Sequence, residues 1–200
     1  MNSRKLILAV MMAGSLGAAV VPAAASASGF YIGADAVMRS TELDYLEGTE
    51  TYHTEHARIK AGYEILDFLA VEAQVLTAGD DSDIDFFGNL YSFDTGTIVG
   101  VYAKPKTDFS RANVYGLVGL AYWDTTYTDV ALNEKYTDKV VTFGAGVGGE
   151  FNITKHLRFN IEGMMQVGTT SYGTFDPNIY SLSLAAGLNV RFLSRSSSRL

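Results

Sequence analysis

The side chains with the readiest claim to acid–base chemistry at neutral pH are three histidines, His53, His56 and His156. His53 and His56 flank Thr54-Glu55. A hydrolytic centre needs a nucleophile, a base and an orienting carboxylate within mutual reach. In an extended strand, positions three apart point to opposite faces, so His53 and His56 make a poor dyad unless the strand begins after His53. No serine has an obvious place beside either. His156 sits alone in a short polar turn. No catalytic residue is assigned on this basis. Asp81-Ser82-Asp83-Ile84-Asp85 has the alternating oxygens of a calcium loop, but that loop wants Gly at its sixth position and Glu at its twelfth. Phe86 and Ser92 stand there instead. A solvated acidic loop is expected, with no metal site and no cofactor assigned. A loose divalent bridge from this loop to phosphates stays open. Cysteine is absent, which removes disulfides and thiolate zinc sites.

The elements that must position these residues come next. Of the 200 residues, 48% are apolar and 18% charged, which excludes a disordered chain. A net charge of −7 argues against a nucleic-acid partner. Residues 1–27 read as a secretory signal peptide: Arg4 and Lys5, an apolar stretch over 6–14, then Ala25-Ser26-Ala27 as the cleavage site. Removing its two basic residues leaves the mature part at −9. One domain over 28–192 and a short tail over 193–200 are expected.

The mature chain alternates with period 2. Over 180–192, Tyr180, Leu182, Leu184, Ala186, Leu188, Val190 and Phe192 share one face. Ser181, Ser183, Ala185, Gly187, Asn189 and Arg191 share the other. Segments 56–65, 141–151 and 157–167 repeat the pattern. Segments 30–39, 69–77, 91–104 and 112–123 complete eight strands, the orientation of 112–123 being open because both faces are apolar. Short connections (Leu66–Phe68, Pro105–Arg111, Asn152–His156) alternate with long ones (40–54, 78–90, 124–138, 168–178). At about 22 residues per strand and connection this suits an all-β, eight-stranded, antiparallel up-and-down transmembrane barrel. Helix signals are missing from the mature part.

Alternation alone does not say which face is inside, since a soluble carrier barrel alternates too. Two observations turn the apolar face outward. Aromatics on it gather at two levels, Phe30, Tyr63, Phe151, Phe159 and Phe192 near the short turns, and Tyr91, Phe93, Tyr122, Phe143 and Tyr180 near the long loops. Such girdles belong to a lipid-facing wall. The polar faces carry six acids, Asp35, Glu64, Glu72, Asp94, Glu150 and Glu162, against six bases, Arg39, Arg58, Lys60, Lys104, Arg158 and Arg191. A balanced set can pair inside a narrow lumen. The long-loop side holds fourteen acids against Lys135 and Lys139. The short-turn side and tail are net +3.

Gly29-Phe30-Tyr31-Ile32-Gly33-Ala34, then Lys60-Ala61-Gly62-Tyr63-Glu64 running through Leu66-Asp67-Phe68 to Leu69-Ala70-Val71-Glu72-Ala73, then Val114-Tyr115-Gly116-Leu117-Val118-Gly119-Leu120 and Phe143-Gly144-Ala145-Gly146-Val147-Gly148, occur in this order. Over 29–192 the chain resembles the small OmpA-like, opacity-type outer-membrane β-barrels of Gram-negative bacteria. Gly187, Val190 and Phe192 match that family's terminal assembly signal, which implies recognition by the barrel-assembly machinery. The family often ends at the aromatic residue, whereas Leu193–Leu200 continues here. This tail is too short for a peptidoglycan-binding domain.

The resemblance implies a monomeric integral protein of the cell outer membrane, exported by its signal peptide, with outer-membrane lipid and lipopolysaccharide as surroundings. The expected role is structural or surface-interacting, with a filled lumen and acidic loops. Adhesion or host contact, a narrow pore, and a lipid A-modifying enzyme are the rivals.

Overall fold

A computed structural model of the chain describes residues 29–45, 48–79, 82–86, 89–107, 111–129, 134–169 and 178–192. Every described element is a strand: β1 (Phe30–Tyr45), β2 (Gly48–Leu66), β3 (Leu69–Leu76), β4 (Ser82–Phe86), β5 (Asn89–Pro105), β6 (Ala112–Asp129), β7 (Glu134–Asn152), β8 (Leu157–Thr169) and β9 (Asn178–Phe192). The sheet runs β3-β2-β1-β9-β8-β7-β6-β5-β4, and β3 also pairs with β5. All pairings are antiparallel. β3 holds the stretch of β5 from Ile98 to Pro105, and β4 the stretch from Asn89 to Phe93. They are two pieces of one stave, so the sheet closes as the eight-stave barrel that the alternation predicts.

The strands form because one face is oily and the other is satisfied. On β9 exposed Leu182, Leu184, Leu188 and Val190 alternate with buried Ser181, Ala185 and Asn189. Val99, Leu120, Val141, Phe143, Ile161 and Met165 extend the exposed apolar wall around the other staves. Along the apolar wall the large apolar side chains are exposed and the charges of the same staves point inward, the inverse of a soluble barrel.

Three sequence expectations change. Two of the long connections, 40–54 and 124–138, are largely strand: β1 and β2 pair without a break from Phe30↔Tyr63 out to Tyr45↔Gly48, and β6 and β7 out to Asp129↔Glu134. Such arms have no oily face, so the apolar alternation fades before the hydrogen-bonded ladder does. Thr51, Tyr52, Thr54, Thr126 and Tyr127 supply the β-branched and aromatic content that keeps them extended. Next, Ser82–Phe86, expected within a loop, is strand. Last, the register of β5 shifts between Thr95 and Ile98. An unbroken alternation would align Asp94 with inward Lys104; the bulge makes Thr95 the buried residue and leaves Asp94 half-buried.

The orientation of 112–123 is resolved. Tyr115, Leu117, Ala121 and Trp123 face in and are buried, while Val114, Val118, Leu120 and Tyr122 face out. The signal peptide, the tail, and Asp80, Asp81 and Asp176 lie outside the described residues.

Candidate functional site

The lumen is filled by side chains from every stave. At its short-turn end Glu64 receives Lys106 at 2.6 Å, Arg158 at 3.6 Å, and Arg191. Above this, Lys104 (β5) stands between Glu72 (β3) at 3.1 Å and Glu150 (β7) at 2.6 Å. Its ammonium lies 4.0 Å from the Tyr115 ring centroid and 4.9 Å from that of Tyr31. Tyr31 Oη donates to Glu72 at 2.5 Å. Arg158 and Asn189 donate to Glu150 at 3.0 and 3.2 Å. Alongside, Arg58 (β2) bridges Asp35 (β1) and Glu162 (β8), each at 2.6 Å. Lys60 lies 3.0 Å from Asp35. Asn160 and Tyr115 complete the two acids, donating to Asp35 at 3.1 Å and Glu162 at 3.0 Å. Gln74 links the groups, accepting from Arg58 at 3.2 Å and donating to Glu72 at 2.7 Å.

In this network each buried charge has an opposite charge, and most have further hydrogen bonds. Without them each would carry several kcal/mol of uncompensated desolvation. The alternation puts the charges inside, and the staves put acids and bases at matching heights.

Toward the outer end the lumen turns apolar. Arg39 donates to Ser181 and to Gln166 (2.6 Å), and its guanidinium lies 4.0 Å from the Trp123 ring centroid. Gln166 passes the bond on to Tyr102 Oη at 2.9 Å. Beyond this layer Trp123 packs with Val37, Tyr52, Leu76, Ile98, Val140 and Ile179. Trp123 Nε1 donates to Thr142 at 3.2 Å. Arg39 is therefore a lumen residue whose described partners are a ring, a hydroxyl and an amide, outside the ion-pair chain.

Two lumen tyrosines fit because glycines lie beneath their rings, on neighbouring strands and, for Tyr102, also on its own strand. A Cβ at Gly62 would fall 2.1 Å from Tyr31 Cζ. One at Gly100 would fall 2.6 Å, and one at Gly144 3.0 Å, from ring atoms of Tyr102. The ring lies flat on bare backbone, where any larger residue would collide.

The structure brings together Asp35, Arg58, Lys60, Glu64, Glu72, Lys104, Glu150, Arg158, Glu162 and Arg191, with Arg39 one layer above; Asp94 is half-buried beside the β5 bulge. Lys106, assigned by sequence to the short turns, reaches in to Glu64. The inward tyrosines and Trp123 escaped the charge census. Their signal was parity, since Tyr31 shares the face of Asp35 and Arg39.

At the short-turn end of the wall, Phe30 is the register partner of both Tyr63 and Phe192, and its ring centroid lies 5.8 Å from that of Phe192. Phe151 faces Phe159 in the same way. Tyr122, Phe143 and Tyr180 are exposed near the outer ends. The side chains of Tyr91 and Phe93 lie outside the described residues. Gly187 backs directly onto Asp35, where a Cβ would meet Asp35 Oδ1 at 2.1 Å. Val190 is exposed, and Phe192 ends β9.

His56 is buried and fully engaged, Nε2 with Thr54 Oγ1 and Nδ1 with the Thr77 carbonyl, both at 2.8 Å. His53 is exposed on the alternate face. His156 is exposed, its Nδ1 3.1 Å from the Arg191 carbonyl. No group of three potential metal ligands forms among the described residues.

A closed barrel with an oily outer wall, aromatic bands and a charge-paired interior defines an integral outer-membrane β-barrel. The chain belongs to the outer membrane protein beta-barrel domain family, whose model matches residues 6–192. Its place is accordingly the outer membrane. Among solved structures it is similar in fold to neisserial surface protein A, NspA (TM-score 0.59, 16% identity, 80% of this chain and 96% of that one). It is similar to OprG from Pseudomonas aeruginosa (0.56, 13%, 84% and 97%). It is also similar to Ail, the attachment invasion locus protein of Yersinia pestis (0.51, 13%, 81% and 99%). A search of the curated proteins finds no match.

Proposed function

We propose that this barrel is a closed, non-catalytic element of the outer membrane that presents stiff acidic hairpins outside for envelope or surface contact. The observation that carries this is the lumen, crossed by ion-pair layers around Glu64, Lys104 and Arg58 and then by the Trp123 cluster. A small barrel's interior is just filled by side chains, and here the filling is a cross-linked solid. The engagement of both nitrogens of His56 and the exposure of His53 on the other face supply no general base beside a nucleophile.

In this reading the signal peptide over 1–27 exports the chain, and the assembly machinery reads Gly187, Val190 and Phe192. The folded protein then stands as a monomer among outer-membrane lipid and lipopolysaccharide. The Yersinia neighbour is by name an attachment and invasion protein, which supports a contact role for such a surface. That neighbour was crystallised with a heparin analogue. The fourteen acids of the long-loop side here would repel such a polyanion, so basic or neutral partners fit better. Planar-bilayer recording tests the plug: no steady single-channel steps are expected, and reproducible steps would establish the rival ion path.

A further inference from the structure

The ionic filling of the lumen carries more cations than acids. Its network sets six cations, Arg58, Lys60, Lys104, Lys106, Arg158 and Arg191, on five carboxylates, Asp35, Glu64, Glu72, Glu150 and Glu162. Arg39 adds a seventh cation one layer above. Two local causes unbalance the set. The β5 bulge turns Thr95, not Asp94, to the buried face, and Lys106 reaches in from its turn. Among the described residues Arg39 makes no salt bridge; its partners are Ser181, Gln166 and the Trp123 ring. A guanidinium stays charged at neutral pH, so burying it without a counter-charge is costly.

The groups around Arg39 have protons to spare. Its Nε donates to Ser181 Oγ and its Nη2 to Gln166 Oε1; the other N–H groups meet no described acceptor. Ser181 Oγ also accepts from Thr41 at 3.5 Å, so its own proton turns elsewhere. Tyr102 Oη accepts from Gln166 at 2.9 Å, and its proton has no acceptor among the described residues. A water molecule would bring further protons to a layer already short of acceptors. A monovalent anion only accepts, and it supplies the missing charge. Arg39, Gln166 and Ser181 keep 3%, 6% and 3% of their surface open, whereas Asn160 in the ion-pair layers keeps none, so the room at this layer suits a small ion.

We propose that the Arg39 layer is a binding site for one chloride ion, held by the Arg39 guanidinium and the Ser181 hydroxyl between the ion-pair layers and the Trp123 cluster. The inference rests on the lumen charges and not on the role of the acidic arms. A conducting lumen would show itself in bilayer recording, which is a separate result.

The test unfolds the detergent-solubilised barrel in urea while chloride replaces gluconate at constant ionic strength, so that screening is unchanged. Above the dissociation constant, the unfolding constant is expected to fall about tenfold for each tenfold rise in chloride, one ion per barrel. Arg39→Met is expected to abolish that dependence and Ser181→Ala to move it to higher chloride. Crystals of the unaltered chain grown in bromide are expected to show an anomalous peak beside the Arg39 guanidinium, which decides the matter even where Arg39→Met does not fold. A midpoint indifferent to chloride overturns the site. So does a chloride dependence that Arg39→Met retains, or bromide found only on exposed surface, which would mark an adventitious ion only.

Discussion

The guanidinium of Arg39 lies 4.0 Å from the centroid of the Trp123 ring, at the boundary between the ionic and the apolar halves of the lumen. Below it every charge is matched by another; above it the filling is aromatic and aliphatic. One residue from β1 and one from β6 thus couple two kinds of core across the barrel.

Trp123 is fully buried and gathers the outer plug. Trp123→Ala should cost about 3–5 kcal/mol, read as a lower urea midpoint in lipid or detergent. The same variant strips Arg39 of its ring, so Arg39→Met in the Trp123→Ala background should cost less than in the wild type.

Glu72 and Glu150 share Lys104. Removing one acid, as in Glu72→Leu, leaves the ammonium under-compensated in a dry lumen and should destabilise by about 3–5 kcal/mol. A double replacement, Glu72→Leu with Lys104→Met, should recover much of that loss. A double-mutant cycle on unfolding midpoints checks the coupling; additive losses would remove the pair from the account.

Gly62→Val should push the Tyr31 ring off its seat and break the bond to Glu72, at a cost of about 1–3 kcal/mol. Tyr31→Ala in the same background should relieve the clash. The sign of that second change, measured by the same unfolding curve, separates steric conflict from general strand weakening.

The outer arms should behave as sheet. Amides of Thr49–Thr54 and Thr125–Thr128 sit in continuous ladders, so hydrogen exchange there should be slowed well below loop rates. Loop-like exchange across both arms would return them to the flexible connections that their composition suggests.

These arms show where sequence stops being informative. Period 2 is visible only where the two sides of a strand meet different media, as Leu182, Leu184 and Leu188 do against Ser181, Ala185 and Asn189. Beyond the girdles both sides are wet and the pattern vanishes although the ladder continues. The inner face of β6 hides for the opposite reason: Leu117, Ala121 and Trp123 fill an apolar plug, so that strand is oily on both sides. The displaced Asp94 follows from one extra residue at the β5 bulge, which no composition reveals. The pairing of Lys104 with both Glu72 and Glu150 depends on the relative heights of β3, β5 and β7, and these come from register. Of the six acids and six bases picked from the polar faces, ten do meet in the network, whereas Arg39 stacks on Trp123 instead and Lys106 joins from a short turn.

The register of Phe30 with Phe192 has a kinetic side. Those residues join the first strand to the last, and the seam carries Arg39 with Ser181, while Asp35 and Asn160 meet one strand further on. The two seam contacts, Phe30 with Phe192 and Arg39 with Ser181, do not exist until β9 has been made. Until then the nascent chain holds two incompatible surfaces in water, an oily one without lipid and a charged one without partners. Loop closure over nearly the whole chain is the slowest kind of contact to make unaided. Folding of the chain is a single late event, triggered by the arrival of its own C-terminal strand.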